Sequence, residues 1–207
     1  MKLQEEIRMI DNISEEKLIV NKSIFISQVY PFYSENDLKE YLTIVRKKYY
    51  NASHHCYAFK LADDSVRYSD AGEPNGTAGL RILNAIEHFN LRNQLIIVSR
   101  IFGGIKLGIG SLGKAYYQSA YQIISDSKIS IKKSFQKATI STTFDQISSV
   151  HRILSNHKSE VINSLYGELV ELNCLINSTE IEIILKKFSD FSKNKIRITI
   201  HNEKVYK

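Results

Sequence analysis

Apolar and polar positions alternate over residues 16–33, which predicts two adjoining strands or one bent strand closed by Pro31. Ile24 and Ile26 fall on one face, with Ser23, Phe25, Ser27 and Val29 on the other. Ser34 then reads as the N-cap of an amphipathic helix, with Asp37 three residues on and Leu38, Leu42 and Val45 as its apolar stripe. Arg46, Lys47 and Lys48 crowd its last turn, where they complement the helix dipole. A strand is predicted over 53–61, a turn at Asp63-Asp64 and a short strand over 65–69. Side chains alternate along a strand, so His54, Cys56, Ala58 and Lys60 share one side and His55, Tyr57, Phe59 and Leu61 the other. A helix from residue 77 or 78 to 89, a buried strand over 94–100 and a long helix over 112–126 complete this half.

The texture changes at Ser134. From there the pattern reads strand (136–144), helix (145–157), strand (160–166), strand (168–176), helix (178–190) and strand (195–201). That βαββαβ order is the split unit of a ferredoxin-like fold, with helices on one face of an antiparallel sheet. The expected fold class is therefore α+β, with one domain over 1–133 and a second over 134–207.

Glycine is concentrated in the first half: eight of nine lie within residues 69–116. Ordering glycine is entropically costly, so its use in two segments points to positive φ or close backbone approach there. The first segment runs from Asp70 to Gly79 and packs turn residues around Pro74-Asn75-Gly76. The second runs from Phe102 to Gly113, between the apolar strand and the long helix. Strand, glycine loop and helix is the layout of an anion site.

Two nucleotide fingerprints nearly fit the second segment. Gly108-x-Gly110-x-x-Gly113 follows the dinucleotide pattern, but the strand ends some six residues early, and basic Lys132 and Lys133 stand where an acid is needed. The same glycines with Lys114 approach a P-loop, but Ala115 replaces the hydroxyl that would hold Mg²⁺. No cofactor is expected from either pattern.

The remaining chemistry is sparse. His54 beside Cys56 suggests a thiol–imidazole pair, against which stands simple packing of a small thiol next to Ala58. His54 and His55 point to opposite faces and cannot chelate one ion, so no metal is expected. Cys56 and Cys174 read as free buried thiols. Asp70 and Glu73 form the best acidic pair, either as acid and base or as loop-capping groups. A formal net charge of +6 leans toward a polyanionic partner. No apolar run is long enough to span a membrane, and the acidic N-terminal stretch lacks a signal-peptide core, so a cytoplasmic location is expected.

The phrases AGEPNGTAG and SRIFGGIKLGIGSLGKAY, with Ala52–Ala58 and Lys22-Ser23-x-Phe25-Ile26 upstream, closely resemble the YigZ/IMPACT family in its bacterial two-domain form. Ile101, where the family usually has an aromatic residue, and Ser111, where it has glycine, depart from the pattern. The resemblance implies a first domain like the second domain of ribosomal protein S5 and a second like the fifth domain of elongation factor G. It also implies a non-enzymatic binding protein linked to translation control and stress, with RNA, ribosomal components or a translation-associated protein as partner. An enzyme acting on a small anionic substrate, a hydrolase or transferase, is the alternative. The expected ligand site comprises His54, Asp70, Glu73, Arg81, Arg100, Gly103, Gly104, Lys106 and Lys114, with Arg100, Lys106 and Lys114 supplying positive charge beside glycine N–H groups.

Overall fold

The structure, a computed structural model, describes residues 4–192 and 196–207. Residues 1–3, at the head of the acidic N-terminal stretch, and Lys195, the expected start of the last strand, lie outside the described residues. The chain is mixed α+β with antiparallel sheets, in two compact units: residues 7–131, and residues 4–6 with 132–207.

In the first unit, strands β2 (Ser14–Val20) and β3 (Ser23–Pro31) are separate. Asn21 and Lys22 both take positive φ, 45° and 66°, which makes the two-residue hairpin whose twist matches its strands. With β4 (His54–Lys60), β5 (Val66–Ser69) and β6 (Gln94–Ile101) they form a sheet ordered β2-β3-β6-β4-β5. β6 lies at its centre, buried on both faces, as its continuous apolar run requires.

The alternation along β4 divides two cores. Tyr57 and Phe59 pack with Leu95, Ile97 and helix α1 (Leu38–Lys48) on one face. Cys56 and Ala58 pack with Ile96, Val98 and helices α2 (Gly79–His88) and α3 (Ile109–Ser125) on the other. Ser34 does cap a turn, its Oγ accepting from the Asn36 N–H at 3.2 Å, but that turn is a short 3₁₀ segment ahead of α1.

Helix α3 begins at Ile109, three residues before the sequence pattern suggests, so Gly110 and Gly113 are helical and the second loop ends at Gly108. One strand has no sequence-based counterpart. β1 (Glu6–Ile10) buries Ile7, Met9 and Ile10 although it sits among charges, and the Ile10 N–H donates to Gln94 Oε1 at 2.8 Å.

The second unit runs β7 (Ile129–Thr142), α4 (Ile147–Asn156), β8 (Glu160–Tyr166), β9 (Val170–Asn177), α5 (Ile181–Ser192) and β10 (Ile196–Tyr206). Its strands are ordered β10-β7-β9-β8, every neighbouring pair antiparallel. Val150 and Leu154 of α4 and Ile184 and Phe188 of α5 close over Ile140 and Leu172 of the sheet. β7 starts seven residues earlier than the pattern predicts because Ser130, Lys132 and Lys133 are polar but still extended.

Candidate ligand-binding pocket

Sequence places Asp70 at the end of β5, where the chain must turn back to start α2 without a capping side chain at Ala78. Asp70 supplies the cap from a distance. Its Oδ1 accepts the N–H groups of Ala78 and Gly79 at 2.9 and 2.8 Å, and Oδ2 accepts that of Gly76 at 2.9 Å. Both oxygens are thereby committed to orphan donors at the helix N-terminus. The first glycine segment is closed on itself.

The carboxylate three residues on points inward. Glu73 Oε1 accepts from Arg100 Nη1 at 2.7 Å and from the Tyr116 hydroxyl at 2.9 Å. The Glu73 and Arg100 side chains are 4% and 8% exposed, so neither charge is stable there without the other. Arg100 is also held over two rings, its guanidinium carbon 5.6 Å from the centre of Phe25 and 5.5 Å from that of Phe102. Tyr116, fully buried, meets Phe25 edge to face at 5.0 Å.

Cys56 donates to the Asp70 carbonyl at 3.0 Å and contacts the Tyr116 hydroxyl at 3.3 Å. Burial pushes its thiol up to about 12 and drives the Tyr116 phenol upward as well. Such a thiol carries almost no thiolate at neutral pH, so the Cys56–His54 pair is not a nucleophile and base.

His54 sits at the edge of this cluster. Its Nδ1 is 2.9 Å from the Ala71 carbonyl, an acceptor only, so Nδ1 carries the proton and Nε2 is left to face Glu73 Oε2 at 3.9 Å. His55, on the opposite face, bonds Ser99 Oγ at 2.8 Å, and burial lowers its pKa.

The second glycine segment is fixed by sterics. A Cβ on Gly103 would lie 2.1 Å from the Lys22 carbonyl carbon, so only glycine lets this loop cross the β2–β3 hairpin, and its N–H donates to Ser23 Oγ at 3.2 Å. Gly108, at φ 73°, precedes α3, and no side chain caps that helix.

A pocket of about 550 Å³ opens between the two segments. His54, Glu73 and Arg100 form its buried end, Phe102, Leu107, Ile109 and Leu112 its apolar side, and Lys106 also lines it. Arg81 and Lys114 line a neighbouring pocket of about 410 Å³ that shares Ile109 with the first. Thus His54, Glu73, Arg100 and Lys106 are brought together, Arg81 and Lys114 stand on the other flank of the first turn of α3, and Asp70, Gly103 and Gly104 line neither pocket. Tyr116 and Ser23, which complete the polar cluster, carry no sequence signal beyond a polar atom among apolar neighbours. Among the described residues no group of three or more His, Cys, Asp or Glu could hold a metal, and no helix is long and apolar enough to cross a membrane.

The family model for the Impact N-terminal domain matches residues 21–124, which hold every residue of this site and half of the chain. The chain belongs to the IMPACT family. Among its relatives within the IMPACT family are YvyE of Bacillus subtilis, 25% identical over 87% of this chain and 84% of that protein, and YigZ of Escherichia coli, 28% identical over 86% and 90%. The fold is also similar to that of a solved structure described as a hypothetical protein, with a TM-score of 0.71, 26% identity, and coverage of 97% of this chain and all of the other.

Proposed function

We propose that this IMPACT-family chain is a non-enzymatic binding protein of the translation-regulation machinery, cytoplasmic, that takes single-stranded RNA at the pocket between its glycine segments. The reading of the first unit as similar to the second domain of ribosomal protein S5 and of the second as ferredoxin-like goes with it; the βαββαβ order and the antiparallel strand order of the second unit support the ferredoxin-like part. The observation that carries the proposal is the uncapped N-terminus of α3, opening onto a pocket that also presents Lys106 and an apolar side with a half-exposed Phe102. Free N–H groups and an ammonium suit a phosphate, and an exposed ring suits a base.

Arg100 is neutralised by Glu73, so the cations available to phosphate are Lys106, Arg81 and Lys114. Replacing Lys106 by Ala, and Arg81 with Lys114 by Ala, weakens RNA retention in filter-binding titrations. Each lost contact lowers the slope of log affinity against log salt by about 0.7. Unchanged affinity and slope remove the proposal, and capture of a ribosomal or translation-associated protein in place of RNA redirects it.

One observation favours an enzyme on a small anionic substrate instead: His54 Nε2 beside a buried carboxylate is arranged as a general base. Asp70 cannot serve, both its oxygens being occupied. A panel of small phosphate and carboxylate esters that neither shifts the melting temperature nor turns over rules this out.

A further inference from the structure

Glu73 is nine-tenths buried, and only one of its oxygens is satisfied. Oε1 takes both Arg100 and Tyr116, while Oε2 accepts no hydrogen bond among the described residues. Its neighbour is His54 Nε2 at 3.9 Å, beyond hydrogen-bond reach. Both atoms belong to residues lining the 550 Å³ pocket. Two acceptors face a gap that an oxygen about 2.8 Å from each would bridge.

The bridging group must carry a proton. With the ring neutral, the Ala71 carbonyl holds the proton on Nδ1, and both Nε2 and Oε2 accept. With the ring protonated, Nε2 donates and Oε2 still accepts. A hydroxyl has a single proton, so it completes the bridge with the ring protonated, accepting from Nε2 and donating to Oε2, and with the ring neutral it pairs with one of the two alone. An ether or a C–H leaves Oε2 unpaired in either state. The pocket that holds this gap also holds the features suited to a phosphate and a flat ring: Lys106, the start of α3, and Phe102. Hydroxyl, phosphate and base together describe a ribonucleotide.

We infer that Glu73 and His54 read the ribose 2′-hydroxyl, making the pocket selective for RNA over DNA. The shared Ile109 puts Arg81 and Lys114 beside the same turn of α3, where the phosphate of an adjacent nucleotide would lie. The inference rests on the reading of this pocket as an RNA site and adds how it distinguishes its ligand.

The test compares one short fluorescein-labelled single strand in three forms, as RNA, as DNA and as 2′-O-methyl RNA of the same sequence, by anisotropy titration at fixed salt. Wild type binds the RNA about ten-fold or more tightly than the other two, the size of one hydroxyl-to-carboxylate hydrogen bond. In His54→Ala and Glu73→Gln the ratio of RNA to DNA affinity falls toward one. Because Glu73→Gln leaves Arg100 buried without its counter-charge, folding of both variants is checked by circular dichroism, and the 2′-O-methyl strand tests the same contact with the protein unaltered. Equal binding of all three strands by wild type overturns the inference and leaves the RNA site standing. A wild type that binds none of them overturns the RNA reading itself. Selectivity that survives both substitutions places the hydroxyl elsewhere and also overturns the inference.

Discussion

The two glycine segments of the first unit share a position, each between a strand and a helix, yet the helix starts they lead into are finished in opposite ways. The first is closed chemically: Asp70 reaches forward to satisfy the N-terminus of α2, and Glu73 turns inward to neutralise Arg100. The second is closed sterically at one point, Gly103 against Lys22, and its helix begins without a cap. A helix N-terminus whose N–H groups are already paired has nothing to offer an anion, whereas an unpaired one does. Both segments line the candidate pocket, the first through Glu73 and Pro74 and the second through Phe102 and residues 106–109, but the uncapped helix start belongs to the second.

The largest test of that contrast is Glu73→Ala. It leaves the Arg100 guanidinium buried without its counter-charge and costs about 3–5 kcal/mol in urea unfolding. Replacing Arg100 by Met at the same time recovers part of the loss, which separates the charge defect from lost packing. A Glu73→Ala protein as stable as wild type would show that the first segment is not closed by this pair. Gly103→Ala comes next, at about 3 kcal/mol, because its Cβ meets backbone rather than a movable side chain. If its midpoint does not move, the second segment is not pinned on the hairpin. Asp70→Ala costs about 2 kcal/mol by freeing the α2 N-terminus. It also tests the comparison directly: with its own cap gone, the first segment becomes an open helix start like the second, and amide exchange at Ala78 and Gly79 speeds up while that at Gly110 and Ser111 does not change.

Much of this architecture was legible in advance. The alternation of His54–Lys60 assigned each side chain to its core, because on a strand period two leaves no freedom of side. The βαββαβ order of the second unit followed from spacing in the same way. β1 was not legible, since five residues among charges give too short a pattern, and its burial depends on neighbours distant in sequence. The start of α3 was missed because glycine marks loops in sequence, while Gly110 lies in the first turn of the helix.

The sequence by itself determined the elements, the two glycine segments and the residues with charge to offer, because local periodicity and turn chemistry are properties of neighbouring residues. Only the tertiary structure decided which charges remain available. Arg100 and Glu73 stand twenty-seven residues apart and cancel, Tyr116 joins them from a third element, and Lys106 is left beside an uncapped helix. Pairing and burial are set by proximity in space, and no spacing along a chain encodes which of two like residues will find its partner.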